Sequence, residues 1–254
     1  VGEFHCDNSL LNEIYDACIQ TQKNNALGQL VDCPHREQAQ YLADSDVQAE
    51  SLLYNFNAAS VAEKVLSDFA SAQQKDGTFP FVYPSNYRHK DFTIRIPEWD
   101  LHFCTLLWKL YFLTGNADYL HRYYAPCKAM VDHYLGMRSA EIGLVPQSKH
   151  WHISDWPYPD VDHSGKYLAA ENIKIYLDVP LMHKMAKNLG LAEDAQRYES
   201  VESKYRSDIR THILDTQRGL FRDSTGSSHY ATGVNALALC YGLFEPSETD
   251  RALS

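Results

Sequence analysis

The chain has 254 residues, 44% of them hydrophobic and 22% charged, which is ample for a large core and suits one or two domains. Its net charge of −10 argues against nucleic acid or an anionic membrane surface as a partner. No apolar run approaches the roughly 20 residues that a helical membrane span requires.

Leu11, Ile14, Cys18 and Thr21 step by three and four and predict a helix over about 8–24. After a polar stretch, Asp44 or Ser45 is a candidate N-cap for a second helix carrying Val47, Leu52, Leu53 and Phe56. A third is expected over about 58–74, stopping at Lys75-Asp76-Gly77, followed by a loop over 78–96. Pro97-Glu98 reads as the first turn of a fourth helix, because Pro fits N1 and Glu favours the positive helix end. Its stripe is Trp99, Phe103, Leu106, Leu110 and Leu113, which makes Trp99 a core candidate.

Leu120, Tyr124, Cys127, Val131 and Tyr134 mark a fifth helix, and an aromatic loop over 139–166 follows it. A sixth is expected over 167–189 with a kink at Pro180 and an end at Gly190. Tyr198, Val201, Tyr205, Ile209 and His212 give a seventh, and Val234, Leu237, Tyr241 and Phe244 an eighth. A ninth starts near Pro246, and alternating β-type runs are nearly absent, so the fold class is all-α.

Two kinds of junction alternate along the chain. Gly77-Thr78-Phe79, Gly143-Leu144-Val145 and Gly219-Leu220-Phe221 fall in long connections, whereas Gly115 and Gly190 fall in short ones. The pattern describes helix hairpins with their elaborated loops at one end; ordinary glycine C-caps are the competing explanation. Cys6, Cys18, Cys33, Cys104, Cys127 and Cys240 are scattered and read as small hydrophobes, a pattern leaning toward a reducing compartment. His150-x-His152 is the nearest approach to a metal-ligand pair, and neither a metal nor a cofactor is expected.

The chemistry concentrates in Asp32-Cys33-Pro34-His35-Arg36-Glu37-Gln38-Ala39-Gln40-Tyr41-Leu42-Ala43-Asp44, where three carboxylates and an arginine lie among apolar residues. Carboxylates near apolar walls and a fixed cation have their pKa values pushed apart, as acid/base chemistry requires. A salt-bridged loop between helices is the plain alternative.

That stretch resembles the catalytic-domain signature of the bacterial α-L-rhamnosidases of glycoside hydrolase family 78. Gly2–Asn12, Pro97-Glu98-Trp99-Asp100, Asp155-Trp156 and Tyr230-Ala231-Thr232-Gly233-Val234-Asn235 are similar to further parts of that domain, in the same order. The resemblance implies an (α/α)6 barrel of six helix hairpins that removes terminal α-L-rhamnose with inversion. It implies Glu37 as general acid and Asp32, Arg36 and Asp44 as ligands of the sugar hydroxyls, with Arg36 expected to pair with Asp32 or with a hydroxyl. Tyr41 stands where many members have tryptophan, and it can still stack on the sugar. Trp99, Trp151 and Trp156 are candidate sugar walls, and Asp155 is either a sugar ligand or a loop cap.

An inverting enzyme also needs a second carboxylate, roughly 6.5–9.5 Å from the acid, to activate water. In the family that residue comes late in the barrel, and no residue here matches it. Residues 1–254, beginning with Val1, are therefore expected to be a partial catalytic domain of eight to nine of twelve helices, inactive alone. The partner implied is a rhamnose-containing glycoside or oligosaccharide. Another six-hairpin glycosidase of different sugar specificity, or a non-catalytic carbohydrate-binding toroid, are the alternatives.

Overall fold

The computed structural model describes residues 2–84, 95–154 and 161–253. Among the described residues nine helices of eight or more residues follow in order, with one four-residue turn among them: α1 Ser9–Asn25, α2 Leu42–Asn55, α3 Ala59–Ser71, α4 Pro97–Asp100, α5 His102–Thr114, α6 Asp118–Gly136, α7 Ala169–Asn188, α8 Ala192–Ile213, α9 Thr232–Cys240 and α10 Pro246–Leu253. Among the described residues the only sheet is a pair of two-residue strands, β1 Leu214–Asp215 and β2 Leu220–Phe221.

Local chemistry accounts for most ends. Asn8 caps α1, its Oδ1 accepting from Leu10 N at 3.0 Å. Gly115 closes α5 in the left-handed region at φ 70, its N–H donating to Tyr111 O at 2.8 Å. Three expectations need correction. The N-cap of α2 is Tyr41, so Asp44 sits in the first turn rather than before it. The helix expected from Pro97 onward breaks at Leu101 into α4 and α5, which turns Trp99 out of the core stripe to a half-buried position. α9 is shorter than its stripe suggests, with Tyr241 as its C-cap. α7 carries Pro180 inside its helical span.

α2, α5, α7 and α9 pack successively side by side, and α3, α6 and α8 back them. The core lies between the layers and includes the fully buried Phe69, Phe79, Phe103, Leu106, Leu110, Tyr198, Tyr205 and Phe221. Phe79 stacks on Phe103 at 4.4 Å between ring centroids. α1 differs: Leu10, Leu11 and Ile14 of its apolar stripe are exposed, and Asn25 is its one buried residue.

The long connections meet, Tyr41 pairing with Val82 and Leu168 with Ser224, as the glycine pattern predicts. The Gly-hydrophobic segments are more than C-caps. Val145 N donates to Asn172 Oδ1 at 2.8 Å while Asn172 Nδ2 donates back to Val145 O at 3.0 Å. Phe221 and Asn235 repeat the exchange at 2.7 and 2.9 Å. Asp100 takes the same place opposite the Phe79 backbone, and Tyr134 OH bonds to it at 2.8 Å just as Tyr205 OH bonds to Asn172. Each of these three Gly-hydrophobic segments is thus docked onto the first turn of the next helix by one buried Asx side chain.

The cysteines also depart from expectation. Cys104 of α5 and Cys127 of α6 form a buried disulfide with Cα atoms 5.8 Å apart, and Cys6, Cys18, Cys33 and Cys240 are exposed or half-exposed. Helix packing brings the bonded pair together across 23 residues of sequence, which no local spacing signals.

Candidate active site

The long loops converge at one end of the helical layers and are laced together there. Leu42 N donates to Phe81 O at 3.1 Å, Tyr83 N to Gln40 O at 3.0 Å, and Ala169 N to Asp223 O at 2.8 Å. The 32–40 segment is a closed loop. Asp32 N donates to Ala39 O at 3.1 Å, Ala39 N donates to Asp32 Oδ1 at 3.3 Å, and Gln38 takes a left-handed φ of 55. Its foot is Gln40, fully buried, whose amide donates to Asp68 Oδ2 and Tyr83 O and accepts from Leu30 N. A buried amide with its hydrogen bonds met fixes where the loop leaves the core.

A cleft of about 990 Å³ opens beside this loop, and Asp32, Asp44, Trp99, His102, Ser154 and Lys174 line its loop end. Trp99 Nε1 donates to Asp44 Oδ2 at 3.3 Å, and Lys174 Nζ lies 5.6 Å from the Trp99 ring centroid. Burial raises the Asp44 carboxyl above the ordinary range; the Trp99 hydrogen bond and His102 oppose this, and the charge of Asp32 adds to it. Behind it, Asp46 is buried against His102 Nδ1 at 2.8 Å, Thr105 Oγ1 at 2.7 Å and Lys109 Nζ at 3.0 Å. Burial alone would raise Asp46, but these partners, His102 first, hold it below the ordinary range. Lys174 also lines a second cavity of about 250 Å³, deeper along α5 and α7, with Asp46, Lys109 and Asp178.

Asp32, Asp44 and Trp99 therefore meet in one cleft. Glu37 is half-buried on the turn over 34–37, outside the lining residues of that cleft, with its backbone N–H donating to Cys33 Sγ at 3.3 Å. Arg36 is exposed on the same turn and forms no ion pair with Asp32, which leaves a sugar hydroxyl as its expected partner; the Ala39 N–H reaches the Asp32 carboxylate. Tyr41 is half-buried with its ring 5.7 Å from that of Phe81, and Trp151 is 42% exposed. Asp155 and Trp156 lie outside the described residues.

Sequence reasoning did not find His102, Ser154 or Lys174, each an unremarkable polar residue in its local stretch. It read Glu98 as a helix-end charge. Glu98 does stand in the first turn of α4, and it is also fully buried, with its Oε1 3.0 Å from His152 Nδ1. Among the described residues no group of three or more His, Cys, Asp or Glu side chains is placed to hold a metal ion.

The family model of the bacterial alpha-L-rhamnosidase six-hairpin glycosidase domain matches residues 1–254. An alpha-L-rhamnosidase of Alteromonas sp. (strain LOR) is 23% identical over 260 residues, covering 99% of this chain and 27% of that protein. The glycoside hydrolase family 78 rhamnosidase of Bacillus sp. GL1 superposes with a TM-score of 0.90 at 20% identity, over 99% of this chain and 26% of that one. A rhamnosidase from Klebsiella oxytoca with rhamnose bound gives a TM-score of 0.85 at 17% identity, over 98% of this chain and 47% of that one. The chain thus spans about a quarter of the Alteromonas and Bacillus proteins, and the architecture shared with these neighbours is the helical six-hairpin toroid. With the family model matched from its first residue to its last, the chain belongs to the bacterial alpha-L-rhamnosidase six-hairpin glycosidase domains.

Proposed function

We propose that the protein containing this chain is a glycoside hydrolase that releases terminal α-L-rhamnose with inversion, and that residues 1–254 carry the acid half of its site. The convergence of Asp32, Asp44 and Trp99 on one cleft, with Glu37 on the adjoining turn, is the observation that carries this reading. Family membership and the rhamnose bound to the Klebsiella oxytoca relative support the choice of sugar.

In the proposed reaction Glu37 protonates the glycosidic oxygen as the bond to the anomeric carbon breaks. Asp32 and Asp44 accept hydrogen bonds from rhamnose hydroxyls, and Trp99 offers its ring to the apolar face of the sugar. Arg36, Tyr41, Trp151, Asp155 and Trp156 belong to the same sugar-holding set. Arg36 and Trp151, exposed here, reach the sugar as the remainder of the ring closes over the cleft. The water-activating carboxylate comes from a part of the protein outside residues 1–254, so the domain is completed by further helix hairpins.

Assay of the full-length protein against a panel of aryl glycosides tests this. Release from the α-L-rhamnoside is expected, with β-L-rhamnose as the first product seen by NMR. Release from another deoxysugar but not from the rhamnoside would favour a different six-hairpin glycosidase. Binding without release would favour a carbohydrate-binding toroid.

A further inference from the structure

Behind Trp99 the wall of the cleft holds ionisable side chains that the proposed reaction does not use. Glu98, next to Trp99 in α4, and Glu171, in the first turn of α7, are 0% and 1% exposed. His152 comes between them from the loop that joins α6 to α7. Its Nδ1 is 3.0 Å from Glu98 Oε1 and 3.9 Å from Glu171 Oε2, and its Nε2 is 3.1 Å from Ser148 Oγ. Glu98 Oε2 and Glu171 Oε2 have no hydrogen-bond donor among the described residues.

The place of this group gives it a consequence. His152 lies between Trp151 and Ile153, two residues before Ser154, which lines the cleft and contacts His163 Nε2 through its hydroxyl at 2.9 Å. Glu98 is bonded in sequence to Trp99, which lines the same cleft. A buried, charge-assisted hydrogen bond is both strong and expensive to break, because separation leaves an uncompensated charge in a dry site. One such bond therefore joins two chain segments that line the cleft.

We propose that Glu98, His152 and Glu171 form a positioning clamp, which holds the Trp151–Ser154 segment against the Trp99 wall and so sets the affinity of the cleft for sugar. This rests on the reading of the cleft as the rhamnose site. The clamp is tightest when His152 is protonated and Glu171 is neutral. Burial, helped by the charge of Glu98, pushes the Glu171 carboxyl up to about 8. Burial works against a charged His152, but the hydrogen bond and charge of Glu98 outweigh it and leave the imidazole above its ordinary value. Raising the pH past about 8 thus places a second negative charge against Glu98 and loosens the clamp.

Other groups face it among the described residues. Tyr134 of α6 feels the charges of Glu171 and Glu98 and is bonded to Asp100 of α4, whose carboxyl burial raises well above the ordinary range. Tyr205 of α8 feels the charge of Glu171, and His150 and His163 in the loop are both lowered by burial. Arg95, ahead of α4, acts on His150 and Asp100. Of these, none lies between the two glutamates as His152 does.

The test uses the full-length protein and L-rhamnose as the probe, because sugar affinity does not depend on leaving-group protonation. In the His152→Gln variant the L-rhamnose Kd is expected to rise about tenfold, while kcat on an aryl rhamnoside stays within about threefold. In the parent, Kd is expected to weaken severalfold between pH 7 and 9, and in Glu171→Gln this pH dependence is expected to shrink to the part that loss of the His152 proton causes. An unchanged Kd in His152→Gln, or the same alkaline weakening in Glu171→Gln, would overturn the clamp. If His152→Gln does not fold, or if the parent neither binds nor releases rhamnose, the NMR titration of His152 in the parent decides. An imidazole still charged at pH 7 supports the clamp, and one already neutral at pH 6 removes it. A parent inactive on rhamnosides would defeat the functional reading alone.

Discussion

The carboxylates at the lip of the cleft and those in its wall are the same chemical groups held in opposite ways. Asp32 and Glu37 are half-buried on a loop that leaves both open to solvent, where Asp32 accepts from the Ala39 N–H. Glu98, Asp100 and Glu171 are at most 1% exposed, with one oxygen of each lacking a hydrogen-bond donor among the described residues. A carboxylate that must meet a sugar has to be reachable. One that fixes the wall has to be dry, because its bond to a partner is strong only where water cannot compete. Asp44 lies between the two kinds, half-buried at the cleft with the Trp99 indole as partner.

The comparison is sharpened by changing one kind at a time in the full-length protein. The largest of these effects is expected at the lip. Asp44→Ala removes charge-assisted hydrogen bonds to the sugar worth about 1.5–3 kcal/mol, so kcat/KM should fall about 10- to 100-fold with little change in Tm. Because the Asp44 carboxyl is raised, sugar affinity in the parent should begin to fail on acidification at a higher pH than for an ordinary aspartate. A loss of Tm as large as the loss of activity would place Asp44 with the wall instead.

In the wall the effect should appear as stability against pH. Between 4.5 and about 8 the folded protein keeps a proton on Glu171 that the unfolded chain has released, so raising the pH through that interval favours unfolding. Chemical denaturation should show stability falling by a few kcal/mol across the interval from this group, and Glu171→Gln should flatten that slope. Identical slopes in parent and variant would mean that Glu171 ionises as freely in the fold as outside it.

A smaller effect is expected at Asp100, which occupies the place of Asn172 and Asn235 in the repeated docking of loop onto helix. Its carboxyl is raised well above the ordinary range by burial, which favours the neutral form that most resembles an amide. Asp100→Asn should change stability at pH 5 by less than about 1 kcal/mol and increase it at pH 8, where retaining the acid's proton costs more. Destabilisation at both pH values would refute the equivalence. Smallest of all, Lys64→Ala removes an exposed i,i+4 pair with Asp68 and should cost less than about 0.5 kcal/mol, with no change in sugar affinity.

Much of this was legible in the sequence for identifiable reasons. The lip acids fall within one short stretch, and their types and spacing are visible without any fold. The hairpin order was legible because Gly77, Gly143 and Gly219 each take positive φ at corresponding turns. The docking partners Asp100, Asn172 and Asn235 were not, because each bonds a backbone more than ten residues away and looks locally like any polar helix residue. His152 was noticed only as half of a weak metal-ligand pair, since its partners Glu98 and Glu171 come from two other elements. The exposed stripe of α1 illustrates the converse: periodicity marks which face is apolar and says nothing about what covers it.

The central claim is that Glu37 donates the proton that lets the sugar depart, and leaving-group dependence tests it most directly. Full-length parent and Glu37→Gln enzymes would be compared on a dinitrophenyl rhamnoside, whose leaving group needs no proton, and on an alkyl rhamnoside, which does. The account predicts a loss of kcat/KM of about 10²–10⁴ on the alkyl substrate and of less than about tenfold on the dinitrophenyl one. Equal losses on both, or no loss on the alkyl substrate, would contradict it.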